Sequence, residues 1–89
     1  MQLQTGMIVR AIAGKEQDGF YLVIRQDQDF VYLADGKHRK LSQPKRKNPR
    51  HVRATSTILD RDCLSDLTDL KLRRMLREYQ KKQVLQGGE

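Results

Sequence analysis

Residues 20–34 have the sequence FYLVIRQDQDFVYLA, in which two apolar runs rich in β-branched and aromatic residues flank a polar segment. Such runs are typical of β-strands, and Asp27-Gln28-Asp29 between them indicates a tight turn. We therefore predict strands at residues 20–25 and 30–34. Asp35-Gly36 follows directly and predicts a second hairpin, because glycine adopts the positive φ that such a turn requires.

The residues on both sides of this hairpin predict further strands. Residues 7–13, MIVRAIA, are apolar and predict a strand before it, followed by a polar loop between Gly14 and Gly19. Residues 37–41 are expected to return as a short fourth strand, and residues 51–55 as a fifth. Five short, closely spaced strands indicate a small barrel.

Two prolines lie between the fourth and fifth predicted strands. Pro44 and Pro49 lie on either side of Lys45-Arg46-Lys47. Proline has no N–H to donate to a sheet, so both prolines favour a loop. We expect the three basic side chains in that loop to be unburied.

The C-terminal third has the pattern of an amphipathic helix. Thr68 is a suitable N-cap, and Asp69 in the first turn complements the helix dipole. Apolar residues then recur at i, i+3, i+4 and i+7, forming one stripe: Leu72, Met75, Leu76 and Tyr79. The prediction is a helix near residues 69–83. Its stripe packs either on the barrel or on a partner.

The predicted fold is therefore mainly β, a small barrel of about five antiparallel strands with a C-terminal α-helix. A chain of 89 residues holds one domain at most. Residues 1–56 are assigned to the barrel, including a basic loop at residues 37–53. Residues 57–89 are assigned to a helical extension with a disordered tail.

The positive charge is concentrated in one segment. The whole chain carries +7; residues 1–36 hold three bases and five acids, residues 37–59 eight bases and no acid, and residues 60–89 seven bases and six acids. The three parts thus carry −2, +8 and +1. A segment of one sign repels itself unless a partner neutralises it, and a polyanion such as nucleic acid is the first expectation.

RNA is the partner that this segment favours. Arginine holds phosphate through two parallel hydrogen bonds, whereas lysine acts as a point charge. The candidate RNA-binding residues are Lys37, Arg39, Lys40, Lys45, Arg46, Lys47, Arg50, His51 and Arg53. His51 either contacts RNA or simply ends a strand. Tyr21 and Tyr32, on adjacent predicted strands, either stack on unpaired bases or cover the core.

Catalysis has little support in the sequence. Cys63 is the single cysteine, so neither a disulfide within the chain nor a zinc site with several thiolates is possible. The neighbouring Asp62 disfavours a reactive thiolate. We expect no enzyme activity, no catalytic or metal-binding residues and no cofactor.

The expected location is the cytoplasm. The first residues lack the basic and apolar regions of a signal peptide, and no apolar run approaches the length of a membrane span. We expect no membrane association, and a monomer in isolation.

Several of these stretches also resemble a known family. GMIVRA at residues 6–11, the glycines Gly14 and Gly19 and the strand at residues 20–24 resemble the KOW motif of ribosomal and transcription proteins. The likeness continues in LADGK (33–37), RKL (39–41), PK (44–45) and RHV (50–52). The chain looks like the short KOW-domain RNA-binding proteins of Gram-positive bacteria. Those proteins are similar to the eukaryotic and archaeal large-subunit ribosomal protein family L-fourteen-e.

This resemblance covers about residues 5–55 and, more weakly, the helix. It implies an SH3-like barrel that binds RNA, above all ribosomal RNA, in association with the ribosome or translation. One feature of the family is missing: many members carry a lysine after the second loop glycine, where this chain has Phe20. Lys15 is also outweighed by Glu16 and Asp18. The main contact is therefore predicted at residues 37–53 rather than in the loop.

Two other classes of function compete with RNA binding. SH3-like barrels serve many functions, so the chain is alternatively a protein-interaction adaptor whose basic segment docks on an acidic protein surface. Binding to an anionic membrane is the weakest alternative, because the basic segment has no apolar amphipathic face.

Overall fold

The computed structural model describes residues 3–14 and 19–87, without the side chains of residues 84–87. The elements in chain order are β1 (Met7–Ala11), β2 (Phe20–Gln26), β3 (Val31–Ala34), β4 (Lys45–Lys47), a 3₁₀ turn (Pro49–His51), β5 (Val52–Ile58), α1 (Arg61–Ser65) and α2 (Asp69–Gly87). Lys15, Glu16 and Asp18 of the predicted loop lie outside the described residues.

The strands form one antiparallel sheet in the order β4-β3-β2-β1-β5. β1 pairs with β2 through Val9 and Tyr21, and with β5 through Val9 and Ala54. The mainly β prediction, with five antiparallel strands and a C-terminal helix, is confirmed. The ladder between β1 and β5 is irregular near Ile8, whose carbonyl accepts a 2.6 Å hydrogen bond from the Thr55 hydroxyl.

The predicted position of the fourth strand is wrong. Residues 37–41 form a loop, because the Asp35 carboxylate accepts hydrogen bonds from the backbone N–H groups of Lys37 and Arg39, at 2.9 and 2.8 Å. The N–H groups of Asp35 and Gly36 both donate to the Arg39 carbonyl. These bonds close the segment on itself, and its backbone groups do not continue the sheet.

The fourth strand instead comprises the three basic residues predicted as a loop. β4 pairs with β3 at the edge of the sheet, with Lys45 opposite Leu33 and Lys47 opposite Val31. Pro44 precedes the strand and so removes no hydrogen bond from it. Prolines are tolerated at the ends of edge strands, and lysines there discourage pairing with a further chain.

The sheet buries both of its faces. Alternate residues of β1 point to opposite sides, as in any strand. One side holds the inner cluster, built from strand residues that the curled sheet encloses: Met7, Val9, Ala11, Tyr21, Val23, Val31, Leu33 and Val52. The other side holds the helix cluster, whose buried members are Ile8, Leu22, Ala34, Leu72 and Leu76. The sheet therefore curls around one core and carries α2 on its outer face.

The stripe of α2 packs on the sheet, which decides between the two alternatives for the helix. Leu72 and Leu76 are buried, and the Tyr79 ring meets Phe20 edge-on with centroids 5.2 Å apart. The Thr68 hydroxyl accepts from the Lys71 N–H at 3.2 Å, as an N-cap does. The helix runs to Gly87 rather than residue 83, and residues 88–89 of the predicted tail lie outside the described residues.

Candidate nucleic-acid interface

Five of the nine candidate RNA-binding residues surround one cleft at the β4 edge. This edge cleft has a volume of about 490 Å³. Its described lining is Gly14, Arg39, Lys45, Arg46, Lys47, Asn48 and His51. The lining comes from four separate pieces of chain: Gly14 after β1, the 35–41 loop, β4 with the residue after it, and the 3₁₀ turn. The fold thus gathers basic groups that the sequence only places within the same segment.

The register of β4 assigns its three side chains to two faces. Lys45 and Lys47 pair with Leu33 and Val31, which belong to the inner cluster, whereas Arg46 pairs with Tyr32 on the outer face. Residues opposite each other in a sheet share a face. The side chains of the three basic residues therefore do not all lie on one face of the sheet, although all three border the edge cleft.

Lys47 is buried, contrary to the expectation for a loop residue. Only 7% of it is exposed, and its Nζ donates a 2.8 Å hydrogen bond to the Ala13 carbonyl. This bond ties the edge strand to the segment that follows β1. Lys47 has a structural role at the base of the cleft, and its ammonium group adds positive charge there.

Replacing Lys47 should therefore affect stability. Lys47→Ala removes the hydrogen bond to Ala13 and leaves a part-buried carbonyl without that donor, at an expected cost of about 1–3 kcal/mol. Lys47→Met keeps most of the apolar stem and isolates the loss of the ammonium group. Chemical denaturation of both variants beside Arg46→Ala, which removes an exposed side chain, measures the difference. Equal stability of the Lys47 and Arg46 variants would contradict the structural role.

Two arginines lie against aromatic rings, and one of them, Arg46, also lines the edge cleft. The guanidinium carbon of Arg46 is 4.6 Å from the Phe30 ring centroid, and that of Arg25 is 4.2 Å from the Tyr32 centroid. Such cation–π contacts restrict the guanidinium orientation. Arg46 is thus held in place at the margin of the cleft while it stays exposed to solvent.

Tyr21 and Tyr32 do not share a surface. Tyr21 is buried in the inner cluster, whereas Tyr32 is half-buried on the opposite face. The Tyr32 hydroxyl donates to the Asp27 carboxylate at 2.9 Å, and Arg25 lies over its ring. The two tyrosines therefore do not form a shared stacking surface, and the structure favours the core alternative for Tyr21.

Asp27 organises the turn between β2 and β3. Its carboxylate accepts hydrogen bonds from the Asp29 and Phe30 N–H groups and from the Tyr32 hydroxyl. The bond from the Asp29 N–H contributes most to a lowered pKa of this carboxyl, followed by those from Phe30 and Tyr32. The charged carboxylate therefore stabilises the hairpin that supports Phe30 and Arg46.

The stabilising effect of Asp27 should depend on pH. Its pKa is lower in the folded chain than its ordinary value of 3.8, so the contribution is present above that value and is lost as pH falls through the folded-state pKa. In Asp27→Asn this contribution is absent at every pH. The difference in melting temperature between wild type and Asp27→Asn should shrink on acidification. A pH of about 2 lies well below the ordinary pKa range of aspartate. If the difference in melting temperature stayed constant down to that pH, the charged Asp27 carboxylate would not be the source of the stabilisation.

The remaining candidates lie outside the described lining of the edge cleft. Lys40, Arg50 and Arg53 are exposed. Arg50 belongs to the 3₁₀ turn, and its N–H donates a 2.9 Å hydrogen bond to the Asn48 side-chain oxygen, which caps the turn. Arg53 lies on β5 opposite Arg10. Lys37 lines a second cleft together with residues of α2.

Two basic residues that line this second cleft were not among the candidate RNA-binding residues predicted from the sequence. Arg73 and Arg77 are exposed on α2 and face the loop that carries Lys37. Their i, i+4 spacing places them on one flank of the helix. The sequence contains that signal, but nothing in it indicates which loop lies beside this flank.

The described chain shows little that suggests other chemistry. Cys63 is half-buried in α1, and its N–H donates to the Asp60 carboxylate at 2.8 Å. Within residues 3–14 and 19–87, no three or more His, Cys, Asp or Glu side chains form a group that could hold a metal ion. Among the same residues, no helix combines the length and apolar character that crossing a membrane requires.

Comparison with known proteins gives no family assignment. No protein-family model matches the sequence, and no curated protein matches it. The resemblance to KOW-domain proteins stays a prediction that rests on the stretches quoted above.

Proposed function

We propose that this chain is a non-catalytic RNA-binding protein that holds the phosphate backbone at the edge cleft. The observation that carries the proposal is the convergence of Arg39, Lys45 and Arg46 with the buried Lys47 around one cleft. No acidic side chain belongs to its described lining. A concave site with charges of one sign concentrates the positive potential and attracts a polyanion.

The chemistry of these groups suits a phosphodiester backbone. Basic side chains release condensed counterions when they neutralise phosphates, which supplies affinity without regard to sequence. Arg46 is oriented by Phe30, so it loses less side-chain freedom when it binds a phosphate. Contacts of this kind position an RNA and carry no base information. We therefore propose recognition of backbone and shape, as is usual for A-form RNA.

The KOW resemblance supports a more specific target. It implies ribosomal RNA and association with the ribosome or translation. With this target we propose a cytoplasmic location. An SH3-like barrel alone is compatible with other functions, so this part of the proposal rests on the quoted sequence stretches and on the positive charge of the segment.

Binding of the purified protein to a short labelled RNA hairpin tests the proposal. If about five phosphates are contacted, log affinity should fall against log salt with a slope of roughly −3 to −5, from the single-strand and duplex coefficients. Fluorescence anisotropy at several salt concentrations gives the slope. Absence of binding at low salt would overturn the proposed function.

Co-sedimentation with ribosomes separates RNA binding from the adaptor alternative. High salt and nuclease treatment should both release the protein if it holds exposed RNA, because the contact is electrostatic and its ligand is degraded. Retention after nuclease, together with no affinity for the hairpin, would favour docking on an acidic protein surface.

A further inference from the structure

A second cleft lies between α2 and the 35–41 loop, with a volume of about 470 Å³. Lys37 and His38 from the loop and Arg73 and Arg77 from the helix belong to its lining, and Phe20 and Leu76 contribute apolar surface. Cationic groups thus approach it from two separate elements. We call this the helix cleft.

The loop and the helix are fixed relative to each other. Gly36 has φ +77°, and a Cβ built on it would clash with the Asp69 carbonyl oxygen, so the loop backbone touches the first turn of α2. The Leu41 N–H donates to the Asp69 carboxylate at 2.8 Å. These two contacts position Lys37 beside the flank of α2 that carries Arg73 and Arg77.

The same loop borders both clefts. Lys37 and His38 line the helix cleft, whereas Arg39 lines the edge cleft. Lys40 is exposed on the same short segment. The 35–41 loop therefore contributes basic residues to both clefts.

One acid, Asp35, also belongs to the described lining of the helix cleft. Its carboxylate already accepts hydrogen bonds from two backbone N–H groups of the loop, and its Oδ2 lies 3.6 Å from His38 Nδ1. The Asp35 side chain is only 16% exposed, against 74% for His38. The Asp35 carboxylate is therefore engaged by the backbone of the loop. Lys37, Arg73 and Arg77, in contrast, are exposed to solvent.

We propose that the helix cleft binds a further stretch of RNA phosphate backbone, with Lys37, Arg73 and Arg77 as its contacts. The RNA then passes from the edge cleft over the 35–41 loop to α2. Like charges at i, i+4 disfavour an isolated helix, and a bound polyanion offsets that cost at Arg73 and Arg77. The inference rests on the proposed function and extends it to residues of the helix.

The test compares two variants that lose the same charge from α2. Arg73→Gln/Arg77→Gln removes the helix-cleft cations. Arg74→Gln/Lys82→Gln removes two exposed cations that do not belong to the described lining and lie on another flank at 3.6 residues per turn. Anisotropy with the same RNA hairpin gives the salt slope of each variant. Circular dichroism checks that both keep their helix.

The helix-cleft variant should have a salt slope that is shallower by about one to two units, and an affinity on the order of 10-fold lower at low salt. The control variant should stay close to wild type. Lys37 lines the cleft from the side of the loop. The Lys37→Gln substitution should make the salt slope shallower by about one unit. It replaces the helix variant in the test if that variant does not fold.

The possible failures are distinguishable. If wild type binds the hairpin and the helix-cleft variant has the same slope as its control, this inference is overturned and the edge-cleft proposal stands. If wild type does not bind RNA at all, the proposed function and this inference both fail.

Discussion

Replacing Leu72 by alanine is expected to lower the free energy of unfolding by about 2–5 kcal/mol. Leu72 is 0% exposed and lies in the helix cluster with Ile8 and Leu22 of the sheet. Truncation removes buried apolar surface and leaves a cavity between the sheet and α2, which the surrounding strands fill only in part. Urea denaturation followed by circular dichroism measures the change.

Leu70→Ala is the matched control. It makes the same truncation in the same helix, but Leu70 is 47% exposed, so its cost should stay below about 1 kcal/mol. The Leu72 variant should also loosen the 35–41 loop, because that loop is attached to Asp69. Equal effects of the two substitutions would mean that α2 does not pack on the sheet in solution, and the helix cleft would lose its basis.

The strands that the sequence located well are those with apolar side chains. β1, β2 and β3 begin within one residue of their predicted starts, because runs of β-branched and aromatic residues reflect burial in the sheet. β4 consists of two lysines and an arginine and carries no such signal. Its conformation comes from pairing with β3, a contact distant along the chain, and local patterns do not report it.

Contacts between residues distant along the chain also determine the candidate site, and local sequence patterns do not predict them. The sequence contains the basic segment at residues 37–53, since charge is a property of composition, but it does not indicate which of these side chains lie together. The burial of Lys47 follows from its register opposite Val31, which turns its side chain toward the inner side of the sheet. The helical repeat puts Arg73 and Arg77 off the apolar stripe, but their proximity to Lys37 depends on how the 35–41 loop packs on α2.

Replacing the accessible cations of the edge cleft is expected to weaken RNA binding strongly. In the variant Arg39→Gln/Lys45→Gln/Arg46→Gln the salt slope should be shallower by about two to three units. Each lost phosphate contact reduces the steepness of log affinity against log salt by roughly 0.7–0.9. The affinity at low salt should fall on the order of 100-fold. Lys47 is retained in this variant, since its hydrogen bond to Ala13 supports the fold.

The control removes three exposed cations elsewhere, in Arg61→Gln/Arg74→Gln/Lys82→Gln. Both variants have the same net charge, so any difference between them reflects the position of the charges and not their sum. The edge-cleft variant should lose affinity about equally for RNA hairpins of different sequence, because phosphate contacts carry no base information. A loss confined to one sequence would instead indicate base recognition by Arg39 or Arg46. If both variants bind with the same slope while melting like wild type, the gathering of basic residues at the edge cleft has no part in binding, and its lysines serve only to protect the edge strand from pairing.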